Sequence, residues 1–212
     1  GSTTTLSSTT ANGVWTSSNT AVATIVASTG VVTGVTAGTS TITYTVTVGG
    51  CTNSTTTAVT VNALPTASIT TIGTTTFCTG GSVSLVGPSA PAGMTYSYQW
   101  NVGGSAIVGA TSSSYTASAA GSYTLTVTNN NGCFATSAAT VVTVNALPTL
   151  AAIGGTPSVC IGSSTTLTNG QSGGTWSSSN TATAIVNSST GSVTGVSAGT
   201  ATITYTYTNS NN

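Results

Sequence analysis

The chain has 212 residues, of which 52 are Thr, 32 Ser and 26 Gly, and it contains no Lys, Arg, Asp, Glu or His. An ordinary soluble protein is about a quarter charged. The absence excludes general acid–base and carboxylate catalysis, metal sites built on His or carboxylate, isopeptide crosslinks and phosphate-directed nucleic-acid binding. The expectation is a protein that is not an enzyme, carries no metal or cofactor and binds no nucleic acid.

Thr and Val favour pleated, half-buried surfaces and lose side-chain freedom in helices. With 38% of residues apolar and the apolar positions alternating, the chain reads as folded and all-β. No run of 18 apolar residues occurs, so no membrane span is expected. In chain order, Gly13-Val14-Trp15 reads as a strand that runs into a Ser17-Ser18-Asn19 turn, followed by a strand at Ala23-Thr24-Ile25. Gly30–Gly38 reads as a short strand between glycines that permit tight turns. Thr41–Val48 alternates strictly, with Ile, Tyr and Val on one side and Thr on the other. Thr57–Val61 predicts the last strand of this stretch. Ser82–Val86, Tyr96–Val102, Ala120–Val127 and Ala139–Asn145 follow as strands, with Trp100 a predicted inter-sheet core residue. Thr202–Tyr207 alternates as Thr41–Val48 does.

Two internal repeats organise the sequence. The octapeptide Val-Thr-Val-Asn-Ala-Leu-Pro-Thr occurs at Val59–Thr66 and at Val142–Thr149, 83 residues apart. Residues 1–50 align without a gap on 162–211 at an offset of 161, with 29 identities in 50. Trp15, Asn19, Gly30 and Tyr44 fall on Trp176, Asn180, Gly191 and Tyr205. The chain therefore reads as an A–B–A′ array with modules at 1–64, 65–147 and 148–212. The offset predicts that the first A module lacks a counterpart of Pro148–Ile161, and the second a counterpart of Gly50–Leu64. Pro65 and Pro148 restrict the joints, so neighbouring modules should hold a nearly fixed relation, as in a stiff rod.

The pattern Trp15…Asn19, Ala23-Thr24-Ile25, Gly30–Val35 and Ala37–Thr43 resembles the bacterial Ig-like group 2 family. Trp176…Asn180, Ala184–Val186, Gly191–Val196 and Ala198–Thr204 repeat it. The resemblance covers roughly 100 residues and implies tandem Ig-like antiparallel β-sandwiches. The family often carries surface charge, which this chain lacks. The middle module resembles the Ig-like or PKD-like modules of giant bacterial surface proteins. Its Gly121-Ser122-Tyr123 step is similar to the tyrosine corner of immunoglobulin sandwiches, which makes Tyr123 a core residue. The resemblance further implies a giant adhesin of the kind exported by type IX secretion.

None of the four cysteines lies in a Cys-x-x-Cys motif. Cys78 precedes the second strand of the middle module and Cys133 follows its penultimate strand, so the two are predicted to pair. Closing that loop of 55 residues would stabilise by roughly 4 kcal/mol and imply an oxidising compartment. Cys51 and Cys160 would then be unpaired through truncation. The alternative is four buried thiols.

Trp15, Trp100 and Trp176, one per module, are expected in cores; the sharper alternative is a sugar-stacking platform. The Thr41–Thr47 ladder and its copy read as neutral strand faces, with an ice-binding array as the alternative. Asn53-Ser54-Thr55 and Asn187-Ser188-Ser189 fit the N-glycosylation pattern. Together these features predict a segment of a long extracellular stalk, fibre or cell-surface filament that associates with itself. A surface or a polysaccharide is a further candidate partner. The competing readings are a carbohydrate-binding accessory module of a secreted enzyme and an ice-binding adhesin segment.

Overall fold

The computed structural model describes residues 1–209, so the last three residues of the 148–212 module lie outside the described residues. Among the described residues there are twenty strands and no helix. In chain order these are β1 (Thr3–Thr5), β2 (Val14–Ser17), β3 (Ala23–Ile25), β4 (Val31–Gly34), β5 (Gly38–Val48), β6 (Cys51–Val61) and β7 (Thr70–Ile72). They continue with β8 (Thr76–Cys78), β9 (Val83–Val86), β10 (Tyr96–Val102), β11 (Ser105–Ala106), β12 (Ser114–Ala117), β13 (Gly121–Asn129) and β14 (Phe134–Thr136). The remainder are β15 (Thr140–Asn145), β16 (Ser164–Thr166), β17 (Thr175–Ser178), β18 (Ala184–Val186), β19 (Ser192–Gly195) and β20 (Ile203–Thr206). Contacts group the chain into two units, one of residues 1–73, 84–117 and 121–141, the other of residues 74–83, 118–120 and 142 onward.

The first unit begins with a sandwich of two antiparallel sheets, β1-β4-β3 and β2-β5-β6. Alternation along β5 turns Ser40, Ile42 and Tyr44 inward and leaves Thr39 and Thr41 exposed, as a period of two requires. Val22, Ala23 and Val32 form the core between the sheets, with Leu6 and Ile25 on one side and Val59 and Val61 of β6 on the other. β5 and β6 pair over eleven positions, from Gly38↔Val61 to Val48↔Cys51. Gly49 and Gly50 close this hairpin at φ 58° and 82°, the left-handed pair that a two-residue turn of primed type needs.

The same unit contains a second strand set, with β12-β9-β7 on one side and β11-β10-β13 on the other, β14 also pairing with β13. Trp100 and Leu125 face each other across β10 and β13, and both are fully buried. The Tyr115 ring bridges the sheets, its centroid 6.0 Å from Trp100 and 5.8 Å from Tyr123. Trp100 Nε1 donates to the Ser112 carbonyl at 2.9 Å, so the indole is buried with its one polar group satisfied.

In the second unit β15 runs parallel to β8, with Val144 opposite Phe77 and Asn145 opposite Cys78. The sheets β16-β19-β18 and β17-β20 repeat the first sandwich at the offset of 161, around Leu167, Trp176, Ala184 and Val193.

Most expected strands are present, but two differ instructively. The strand expected at Thr202–Tyr207 is only four residues long, whereas its counterpart β5 has eleven. The difference is the partner: β6 lines the outer edge of β5, and among the described residues no strand lines that edge of β20. Conversely β6 begins at Cys51, six residues before the expected start, because the hairpin carries the pairing to its turn.

Truncating the central indole, Trp100→Ala, should destabilise the strand set around β10 and β13 by about 3–5 kcal/mol in urea unfolding followed by circular dichroism. Val108→Ala, at a side chain 99% exposed, should stay within about 0.5 kcal/mol.

Candidate functional site

The residues shared by the two A-type copies assemble one structural element, built twice. In the first copy the Trp15 and Tyr44 rings lie on adjacent strands, Trp15 opposite Tyr44 in register, with centroids 4.5 Å apart and planes tilted by 44°. In the second copy Trp176 and Tyr205 are 4.7 Å apart and tilted by 50°. Tyr44 Oη accepts from the Gly13 amide at 2.8 Å and donates to the Thr10 carbonyl at 2.6 Å. Tyr205 Oη accepts from the Gly174 amide at 2.8 Å and donates to the Gln171 carbonyl. Each phenol thus pins the loop that enters the Trp strand. Gly30 and Gly191, both at φ 72°, lie under the indoles. A methyl group there would collide with the Leu6 or Leu167 carbonyl and crowd the Trp ring, so the glycine is required by both backbone and packing.

The Ser-Ser-Asn step is a polar clamp on the next loop. Ser17 Oγ donates to the Ala23 carbonyl at 2.6 Å, and Ser178 Oγ to the Ala184 carbonyl at 2.8 Å. The Thr41 and Thr202 amides donate to Ser18 Oγ and Ser179 Oγ at 2.9 Å. Asn19 Oδ1 and Asn180 Oδ1 accept from the amides of Ala21 and Ala182 at 3.1 Å, the Asx geometry that favours Asn in turns. The copies differ at one buried hydroxyl. Ser40 Oγ accepts from the Asn19 amide at 3.1 Å; its counterpart is Ala201, and there the Asn180 amide uses Ser178 Oγ at 3.3 Å. The sequence alignment shows the Ser-to-Ala change but not that a second hydroxyl stands ready.

Of the predicted core residues, Trp100 is 0%, Tyr123 2% and Trp176 7% exposed, and Trp15 is half-buried. Phe134 is the one exposed aromatic residue among the described residues. Burial, and then the nearby Tyr115, push the Tyr123 phenol above its ordinary pKa. Among the described residues no disulfide is formed; Cys78 and Cys133 are half-buried, while Cys51 and Cys160 are exposed. The alternative of four buried thiols is therefore not found either. The Cys133 amide donates to Asn129 Oδ1 at 3.0 Å, and Cys78 lies in β8 opposite Asn145.

Asn129 is a residue that sequence reasoning missed. It is 5% exposed, and its Oδ1 accepts from the Asn131 and Cys133 amides at 3.0 Å each. Its Nδ2 donates to the Ala63 carbonyl at 3.0 Å, inside the Val59–Thr66 octapeptide. Pro65, two residues on, is buried. The joint between the first two strand sets is therefore held by a side-chain amide as well as by proline. The outer face of the β5–β6 hairpin is a field of hydroxyls, with Thr43 opposite Thr56, Thr45 opposite Ser54 and Thr47 opposite Thr52. Of the two glycosylation sequons, Asn53 is exposed on β6, while Asn187 Oδ1 accepts from the Ser189 and Thr190 amides at 3.0 Å.

Tyr44→Phe leaves the Gly13 amide and Thr10 carbonyl without their phenol partner, at a cost of about 1–3 kcal/mol. The Gly13 amide should then exchange with solvent roughly tenfold to a hundredfold faster, and Gly174 should respond equally to Tyr205→Phe. The folded-state pKa of Tyr123 is raised, so its contribution is complete below the unfolded tyrosine value of about 10 and is lost as pH rises through the folded value. Stability measured in urea should therefore be flat between about pH 4 and 8 and fall above about pH 10.

Residues 162–212 match the bacterial Ig-like domain (group 2), and this stretch is the second A-type copy. No curated protein matches the chain. The family likeness thus falls on the copy whose Trp176, Tyr205, Gly191 and Ser-Ser-Asn clamp have just been described, and the first copy repeats those contacts except at the Asn19 amide, which uses Ser40 Oγ.

Proposed function

We propose that the chain is a structural segment of a long extracellular stalk, fibre or cell-surface filament, built from three Ig-like modules at 1–64, 65–147 and 148–212. Domains of the matching family occur in extracellular and surface proteins. The observation that carries the reading is where the repeated chemistry points. Trp15 and Trp176 lean on Tyr44 and Tyr205, and those phenols hold backbone. The Ser-Ser-Asn clamps hold backbone as well. Repeated residues spent on internal bracing suit a load-bearing spacer.

The same geometry argues against a carbohydrate-binding module, which would display aromatic rings on an exposed plane. All three Trp are buried or half-buried. The Asn129–Ala63 bond supports a fixed joint between the first two modules. An adhesin role and export by a type IX route, which the resemblance implies, belong to the same proposal. The partner is other copies of the chain, meeting through uncharged hydroxyl faces and exposed apolar side chains such as Val14, Val48 and Phe134.

Sedimentation of the chain between about 0.1 M and 1 M salt tests this. Over that range the screening length falls from about 10 Å to 3 Å, yet association should change by less than about twofold, because no charged side chain takes part. Electron microscopy of the parent assembly should show an axial repeat of two modules. Salt-labile assemblies, or monomers that bind a polysaccharide, would overturn the reading.

A further inference from the structure

We propose that Asn169 is a self-modification site, which converts to aspartate and isoaspartate in water and so gives the chain its only side-chain charge at neutral pH. The conversion also releases the Ala151 stretch. The inference rests on contacts within the second A-type copy and does not depend on the stalk reading. An asparagine side chain can be attacked by the amide nitrogen of the next residue. The attack is least hindered where that residue is glycine, which has no side chain in the way. The sequence has three such steps, Asn12-Gly13, Asn131-Gly132 and Asn169-Gly170.

The step needs no reactant but water and its hydroxide, which matters in a chain without His, Lys, Asp or Glu. Hydroxide takes the Gly170 amide proton, and the nitrogen forms a bond to Asn169 Cγ. The Cγ–Nδ2 bond breaks, and Nδ2 leaves as ammonia with a proton from water. Water then opens the cyclic imide at either carbonyl, giving aspartate or isoaspartate.

Hydrogen bonding ranks the three steps. The Gly13 amide donates to Tyr44 Oη at 2.8 Å, and the Gly132 amide to the Asn129 carbonyl at 3.0 Å. Each of these nitrogens must give up a bond before it can attack. Among the described residues no acceptor holds the Gly170 amide. Gly170 is exposed, and the nearest atom to an added methyl there is Ala151 Cβ at 3.8 Å, so its nitrogen has room to move. At the other end of the forming bond, the Gln171 amide donates to Asn169 Oδ1 at 2.9 Å. Negative charge builds on that oxygen during attack, and a donor already aimed at it lowers the barrier. Among the described residues no amide does this for Asn12 or Asn131. Asn19, Asn180 and Asn187 have such donors, but Thr20, Thr181 and Ser188 follow them, and those side chains crowd the attack. The product then breaks a contact. Asn169 Nδ2 donates to the Ala151 carbonyl at 2.7 Å, tying the stretch after Pro148 to the loop beyond β16. A carboxylate there has no hydrogen to give, so oxygen faces oxygen and the tie is lost. Beside it lies the Gly154–Thr168 bridge, whose amides donate to each other's carbonyls at 2.8 and 2.9 Å.

The test incubates the full 212-residue chain in mildly alkaline buffer, folded and in urea, and follows conversion by mass spectrometry. Chymotrypsin, which cuts after aromatic residues and Leu, separates the sites into Ser7–Trp15, Thr126–Phe134 and Thr168–Trp176. In the folded chain Asn169 should convert at least about fivefold faster than Asn12 or Asn131, and in urea the three rates should converge. Tyr44→Phe should speed Asn12 by about fivefold or more and leave Asn169 unchanged. The converted fraction, separated by anion exchange through its carboxylate, should show faster amide exchange at Gly154 and Thr168, as should Asn169→Asp. Folded-state rates that are equal, or fastest at Asn12 or Asn131, would overturn the site. Unchanged exchange at Gly154 and Thr168 in the converted fraction would overturn the release.

Discussion

Without a single charged side chain, every polar demand of this fold is met by hydroxyls, amides and backbone. That constraint shapes the structure more than any apolar contact does. Ordinary domains turn loops and close joints partly with carboxylates and ammonium groups, whose hydrogen bonds are roughly twice as strong as neutral ones. Here Ser17, Ser18 and Asn19 hold one loop, Tyr44 another and Asn129 a third. The three buried polar residues, Ser40, Asn129 and Ser137, all have partners. Among the described residues no buried side-chain nitrogen or oxygen is left without one. An unsatisfied buried group costs about 1–3 kcal/mol, a large fraction of a small module's stability. Neutral hydrogen bonds suffice because they are numerous and local, most of them spanning a single turn or two paired strands.

Alternation made the long, internally paired strands readable. Tyr96–Val102 was legible in full, and Thr41–Val48 nearly so, since β5 starts only three residues earlier. Short edge strands such as β1, β7 and β16 have three residues each, too few to display a period. They exist because a neighbour offers a free edge. The pair β5 and β20 isolates this effect. Their sequences are identical at most positions, yet one has eleven paired residues and the other four. Local preference is the same in both, and the partner strand decides, which is why strand propensity is a statement about surroundings more than about backbone.

The bracing site was legible in its residue types but not in its function. Trp15, Tyr44, Gly30 and the Ser-Ser-Asn step stand out because they recur at one offset. Recurrence alone does not say that the phenol grips Thr10 and Gly13, since those partners lie more than thirty residues away and carry no side-chain signal. Asn129 gave no signal, for it sits in a run of asparagines whose members look alike. The cysteine pairing is a reading that spacing alone does not decide. Position along the chain suggested a bond between Cys78 and Cys133, but the structure forms none. Spacing in sequence constrains loop length, whereas a disulfide needs Cα atoms within about 7 Å.

Neutrality also changes the meaning of a free strand edge. Proteins ordinarily guard such edges with Lys, proline, bulges or an inward-pointing charge. This chain has no Lys, and β6 is a straight run of eleven residues without proline, exposed at all but Val59 and Val61. Its hydroxyls are well hydrated, which opposes casual stacking, but they do not repel. Selectivity at such edges must therefore come from shape, in particular from whether paired valines find a socket. A hydroxyl surface that neither attracts nor repels at long range leaves specificity to the few places where apolar side chains meet a fitted cavity.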